Sequence, residues 1–173
     1  CTIAKQLGKR GVVICPPGLM GDKNKTEGWT KYLEQFELYD WEVRSVGDLE
    51  STLELVKGNP DFEVIIVDEA HRFRNQDTQN YELLMNICRG RKVILLTATP
   101  YNNKPGDVLA LLKLFITPKK SGITLDNNLE DKFQEIEIVF KKLGYIRKHY
   151  NSNDIDKRKR AEYYYKQIFK QLP

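Results

Sequence analysis

Three short runs of aliphatic, mostly β-branched residues punctuate the chain: VVIC at 12–15, EVIIV at 63–67 and KVILLT at 92–97. Each stays apolar at successive positions instead of alternating, as a strand does when both faces of a parallel sheet are covered. EVRSV at 42–46 alternates and reads as a further strand. Between the strands the apolar positions take helical spacing. Trp29, Tyr32, Leu33 and Phe36 form one stripe; Leu49, Leu53 and Val56 form another, N-capped by Asp48 and ended by Gly58, Asn59 and Pro60. Tyr81, Leu84, Met85 and Cys88 make a third within 79–90. Residues 2–9 read as the end of a helix that closes at Gly11, where glycine is free to take a left-handed cap. Short apolar strands alternating with helices predict an α/β domain, a mostly parallel sheet flanked by helices.

Beyond Pro105 the run DVLALLKLFI at 107–116 predicts a very apolar helix packed on that sheet. After Pro118 the texture changes. Residues 119–128 are a polar connection, residues 129–143 an amphipathic helix carrying Phe133, Ile136, Val139, Phe140 and Leu143, and residues 157–172 run from KRKR into AEYYYKQIFKQL. The expected organisation is therefore a domain over 1–118 and a basic helical extension or insertion over 119–173. Charge follows this division: residues 119–173 hold 13 Lys and Arg against 8 Asp and Glu, a net of +5, whereas the rest nets −1.

At 173 residues, 40% of them hydrophobic and 30% charged, the chain has room for a real core and the make-up of a folded protein. No apolar run approaches the roughly 20 residues that cross a bilayer, and no basic-then-apolar leader opens the sequence. The expected setting is intracellular, cytoplasmic in a bacterium, with no membrane partner. Cys1, Cys15 and Cys88 are far apart and in no C-x-x-C pattern, so neither a disulfide framework nor a zinc site is indicated. The apolar surroundings of Cys15 and Cys88 predict buried thiols.

Candidate chemistry concentrates in VIIVDEAH at 64–71. An interior strand that stops at two adjacent acids delivers carboxylates to the carboxyl end of the sheet, where open α/β folds bind ligands. In nucleotide hydrolases of this architecture the first acid holds the Mg²⁺ that bridges the phosphates, and the second orients or deprotonates the attacking water. Asp68 and Glu69 are spaced for those two jobs, and His71 for passing the state of the site to a neighbour. The plainer alternative is that the two acids only cap the next helix. In LLTATPYNN, 95–103, another strand exits into Thr97, Ala98 and Thr99 before Pro100; small hydroxyls there suit a switch between two sites, or an ordinary strand end. Lys157–Arg160 ahead of Tyr163, Tyr164 and Tyr165 suits either phosphate contact with base stacking or a solvated helical face.

Together, V-D-E-A-H followed by T-A-T-P resembles motifs II and III of DEAH-type superfamily 2 helicases. HRFRN at 71–75 and the pair Asn102, Asn103 are similar to the Swi/Snf-like branch, and VVICPPGLM at 12–20 with Trp29 downstream resembles its motif Ia and W-x-x-x-[FL] helix. The match covers roughly 1–118, with four segments in the family's order. It implies the first RecA-like lobe of a P-loop NTPase, a nucleic-acid-dependent ATPase and translocase with ATP and Mg²⁺ as cofactors. Its partners would be nucleic acid, double-stranded DNA above all, and a second helicase lobe in the parent chain. Residue by residue, it implies that Asp68 holds the magnesium of ATP, Glu69 positions water, and His71 and Thr97–Ala98–Thr99 couple the lobes. Pro16, Gly18 and Leu19, through main-chain N–H groups, and Arg72 and Asn75 would contact nucleic acid.

The sequence departs from that family in one respect. No G-x-G-K-T phosphate loop occurs among the 173 residues, and Cys1-Thr2-Ile3-Ala4 resembles the helix that directly follows such a loop. Two other readings stay open: a different DEAH-type motor, such as an RNA helicase or a restriction-system translocase, and a non-catalytic module kept for its nucleic-acid or protein surface. The expectation is that this chain by itself has no significant ATPase activity; Mg²⁺- and DNA-dependent turnover by the purified 173-residue chain is the measurement that would contradict it.

Overall fold

The uniformly apolar runs become strands because both of their faces are covered. In the computed structural model, which describes residues 1–21, 27–99, 104–116 and 128–170, four strands form one all-parallel sheet in the order β2-β1-β3-β4. They are β1 (Arg10–Cys15), β2 (Glu42–Ser45), β3 (Phe62–Val67) and β4 (Lys92–Leu95). Side chains alternate across the sheet. Val12, Ile14, Ile65 and Val67 enter one core with Leu49, Val56, Leu84, Ile87 and Leu114; Val13, Cys15, Val64 and Ile66 enter the other with Ala4, Leu33, Leu38 and Trp41. The first core lies under α3 (Leu49–Gly58) and α4 (Gln79–Cys88), the second under α1 (Thr2–Leu7) and α2 (Trp29–Gln35). The expected α/β sandwich is present.

Chain direction fixes which helix covers which face. The step β1→α2→β2 runs one way along the sheet, and the steps β2→α3→β3 and β3→α4→β4 run the other. Since such crossovers are right-handed, opposite directions put α2 on one face and α3 with α4 on the other. The reversal falls between β1 and β3, so a crevice belongs at their carboxyl ends.

The described residues fall into two compact units, the first within Cys1–Asn102 and Ala110–Ile116, the second within Asn103–Leu109 and Thr117–Pro173. The predicted apolar helix is α5 (Pro105–Leu112), with Pro105 at its start, where a missing N–H costs nothing. Its Ala110 and Leu111, with Leu114 beyond it, belong to the first core, and the Tyr81 hydroxyl donates to the Ala110 carbonyl at 2.8 Å. In the second unit α6 (Leu129–His149) starts at Asn128, whose side chain accepts from the Asp131 amide, and α7 (Ile155–Phe169) starts at Asp154, which accepts from the amides of Asp156 and Lys157. The Arg160 guanidinium lies over the rings of Tyr145 and Tyr164 at 5.4 and 5.5 Å, and Lys142 donates to Gln167 at 2.9 Å, joining the two helices. Of the three consecutive tyrosines Tyr164 faces α6, whereas Tyr163 and Tyr165 are exposed, as are Ile136, Phe140 and Leu143 of the α6 stripe. Among the described residues no helix is long and apolar enough to cross a membrane.

Two local expectations are corrected. The cap of α1 is Gly8, left-handed at φ 59°, and not Gly11. Gly11 sits inside β1, where an added Cβ would lie 2.6 Å from the Trp41 ring and 2.7 Å from the Val64 carbonyl; the ring needs the absent side chain. Asp48 precedes α3 without a side-chain cap bond; its carbonyl instead accepts from the buried Thr52 hydroxyl at 2.7 Å. The polar connection at 119–127, Pro100 and the pair Asn102, Asn103 lie outside the described residues.

Arg91, just ahead of β4, closes this end of the sheet. Its three guanidinium nitrogens donate to the carbonyls of Phe62, Ile87 and Val56 at 2.9, 2.9 and 2.8 Å; the last two are acceptors that the closing turns of α4 and α3 leave open. The Gly11 contact yields the first structural prediction: Gly11→Ala lowers stability by about 1–3 kcal/mol, the usual overpacking range. Gly58→Ala, at a position with nothing within 4 Å of the new methyl, does not. Urea unfolding midpoints of the two variants test the contrast.

Candidate functional site at the carboxyl end of the sheet

β3 is an interior strand, and its ladder continues one residue past its end: the Asp68 amide donates to the Ile14 carbonyl and the Leu96 amide to the Val67 carbonyl, both at 2.8 Å. Asp68 therefore emerges between the exits of β1 and β4, at the point where the chain reverses direction. Its carboxylate is anchored at both oxygens. Oδ1 accepts from the Glu69 amide at 2.9 Å and Oδ2 from the Trp29 indole Nε1 at 2.7 Å. An ionised carboxylate has about four acceptor sites, so two remain for a ligand.

Glu69 occupies the left-handed region at φ 52°, ψ 43°, a conformation that costs a non-glycine residue on the order of 1 kcal/mol or more. The kink turns the chain out of the sheet and starts a 3₁₀ turn, Ala70–Phe73, which buries Ala70 and Phe73. It also brings the Glu69 carboxylate back to His71, whose Nδ1 lies 2.9 Å from Glu69 Oε2. The contact is an ion pair whenever the imidazole is protonated. Thr97 Oγ1 lies 3.3 Å from the same nitrogen and accepts from the Thr99 amide at 3.2 Å. Arg74 Nη2 donates to the Thr99 carbonyl at 2.8 Å and to its hydroxyl at 3.1 Å. The two strand exits are thus stitched together twice. The threonine hydroxyls meet His71 and Arg74, a histidine and a guanidinium.

The remaining sequence candidates are spread around this centre. Pro16, Gly18 and Leu19 follow β1 on the 3₁₀ turn Pro17–Leu19. Contact through three main-chain N–H groups does not fit that turn: Pro16 has no N–H, and the Leu19 amide donates to the Pro16 carbonyl at 2.9 Å. Gly18 is exposed with open space where a Cβ would stand, and suits a close backbone approach. Arg72 and Ala98 are exposed. Asn75 shapes the turn into α4, its side chain accepting from the Asp77 amide at 3.1 Å and its carbonyl from the Thr78 hydroxyl at 3.0 Å. Two residues escaped the sequence reading: Arg74, which only its partner at Thr99 distinguishes from Arg72, and Trp29, read as a family signature without a bond to Asp68.

Among the described residues no group of three or more His, Cys, Asp or Glu side chains could cage a metal ion. A lone half-buried carboxylate with open acceptor sites still suits Mg²⁺, which keeps several waters and takes one or two protein carboxylates alongside substrate phosphates.

The family model of the SNF2-related domain matches residues 18–155. The chain is 28% identical over 139 residues to the uncharacterized ATP-dependent helicase YqhH of Bacillus subtilis, covering 73% of this chain and 24% of that protein. It is 31% identical over 102 residues to the ATP-dependent helicase fft1 of Schizosaccharomyces pombe, covering 54% of this chain and 10% of that one. Among solved structures it is similar to the SWI2/SNF2 ATPase core of Sulfolobus solfataricus in complex with dsDNA, with 17% identity, a TM-score of 0.45, and coverage of 80% of this chain and 35% of the other. The chain therefore spans a quarter or less of the length of these two curated relatives.

Cys15 ends β1 one strand away from Asp68, and its thiol pKa is pushed up to about 12, by burial first and by the Asp68 charge second; burial does the same to Cys88. Thiolate is the reactive form. At pH 8 a disulfide reagent should accordingly titrate only the half-exposed Cys1 rapidly, with Cys15 and Cys88 reacting on unfolding in guanidinium.

Proposed function

The chain belongs to the SNF2-related domain family, and from that membership we propose that it forms the first motor lobe of a Swi/Snf-type ATPase, which hydrolyses ATP to move along double-stranded DNA. In this reading residues 1–118 make up the lobe and residues 119–173 a basic helical extension, and a second lobe elsewhere in the parent protein completes the machine. The observation that carries it is the acidic pair itself: Asp68 and Glu69 leave an interior strand at the chain-reversal point, and Glu69 is bonded through His71 to the neighbouring exit at Thr97.

Asp68 would hold the Mg²⁺ of a bound nucleotide through its open acceptor sites, and the ion would supply charge neutralisation on the β- and γ-phosphates. Everything else is done by side chains of the chain. Glu69, released from the plane of the sheet by its left-handed kink, presents a carboxylate able to orient a water and take its proton. The His71 contact occupies one Glu69 oxygen and leaves the other available. Because His71 Nδ1 touches both Glu69 and Thr97, a change at the Thr97–Thr99 exit alters the surroundings of Glu69, which is how an event at the nucleic-acid side would reach the hydrolytic side. Gly18 and Arg72 would lie along the nucleic-acid backbone, contacts that position a strand without reading its sequence.

The test uses the full-length protein that carries this chain. Glu69→Gln keeps the His71 contact while removing the base, and should lower DNA-stimulated ATP turnover by about 10²–10⁴-fold with DNA affinity retained. Asp68→Asn should abolish turnover and weaken Mg²⁺-dependent nucleotide binding. Turnover that survives both substitutions would leave the non-catalytic module as the better description.

A further inference from the structure

The bond between Trp29 and Asp68 joins segments 39 residues apart, and the chain around Trp29 is built to hold it. Trp29 is the first residue of α2. Immediately before it the chain doubles back on itself. The Met20 carbonyl accepts from both the amide and the hydroxyl of Thr30, at 2.9 and 2.8 Å. Gly21 and Gly28, at φ 85° and 119°, touch backbone to backbone, so that a Cβ on Gly28 would stand 2.5 Å from the Gly21 Cα. This pinch clamps the start of α2 to the segment leaving β1. The Trp29 ring, half-buried against the core that holds Leu33 and Trp41 and edge-on to Tyr32, has little freedom to leave Asp68.

The chemistry of the donor matters as much as its placement. A lysine or arginine at this point would also orient the carboxylate, but its charge would oppose that of any cation bound there. The indole N–H is a neutral, donor-only group. It fixes one oxygen of Asp68 and leaves the full negative charge for a ligand. Partners that hydrogen-bond to a metal-ligating carboxylate in this way set its orientation and are worth about 10–100-fold in metal affinity.

We propose that Trp29 is the positioning residue of the cation site at Asp68: its indole N–H holds the carboxylate in the orientation that accepts a divalent ion, and the Gly21–Gly28 pinch holds Trp29. The inference rests on Asp68 being the metal carboxylate, and the experiment separates the two ideas.

The probe is Mn²⁺ alone, added to the ¹⁵N-labelled 173-residue chain, whose two tryptophans give two indole N–H resonances, with Trp41 as the internal control. The Trp29 resonance should shift in Asp68→Asn and broaden at Mn²⁺ concentrations that spare Trp41. Free Mn²⁺ measured by electron paramagnetic resonance should show affinity falling about tenfold in Trp29→Phe, which keeps a ring but no donor. It should recover in part in Trp29→Gln, which keeps a donor but no ring. Should Trp29→Phe lose stability yet bind Mn²⁺ like the parent chain, or Trp29→Gln bind no better than Trp29→Phe, Trp29 is a packing residue and the proposal is overturned while the reading of Asp68 stands. If Asp68→Asn itself leaves Mn²⁺ binding unchanged, that reading fails and takes the proposal with it.

Discussion

The parallel hydrogen bonds between Arg10–Cys15 and Phe62–Val67 hold two strands side by side whose connections leave in opposite directions along the sheet. Parallel pairing puts both carboxyl ends on the same edge, and the reversal keeps any helix from crossing over them. The turn after β1 and the acids after β3 therefore open at the same place. Burial makes this arrangement stiff: Val12, Val13, Ile14 and Cys15 have no solvent exposure, nor do Val64, Ile65 and Val67. A one-residue slip of β3 against β1 would turn Ile65 and Val67 into the wrong core and carry the acids out of register with Ile14.

Polar groups at that edge follow a consistent rule. Asp68 receives neutral N–H donors, from the Glu69 backbone and the Trp29 indole. The side chains of Arg74 and His71 are directed to Thr99, Glu69 and Thr97 instead. The left-handed conformation of Glu69 belongs to the same design, since an extended residue there would carry its carboxylate along the strand and away from His71. Strain of this size persists only where neighbours over-determine it, and the flanking amides, Asp68 to Ile14 and Ala70 to Leu96, do so.

Much of this was legible in the chain because it depends on periodicity and on local sequence. The four strands and the helices behind them follow from apolar runs and helical spacing, and the acidic strand end from V-D-E-A-H. What escaped is what depends on distant contacts. Gly11 looked like a helix cap because a glycine after a helical stretch usually is one; its real constraint is the ring of Trp41, far along the chain, which no local pattern reveals. Asp48 has the right identity for an N-cap, yet its backbone, at φ −129° and ψ 48°, accompanies a side chain that makes no cap bond. Trp29 fits the apolar stripe of α2, and nothing in spacing says that its one polar atom reaches Asp68. Arg72 and Arg74 are indistinguishable in sequence, and only the 3₁₀ turn decides that Arg74 faces Thr99.

Arg91 binds three elements together from a single side chain. Its planar fork reaches the closing turns of α3 and α4 and the first residue of β3 at once, a span that a lysine ammonium, with a single nitrogen, would not cover. The consequence concerns cooperativity. Fraying of either helix from this end must break a charge-assisted bond shared with the other and with the central strand, so amide exchange in the three should report a single opening event and not a graded one. Rigidity of the sheet beneath the acidic pair is in this sense secured from the opposite end of the strands.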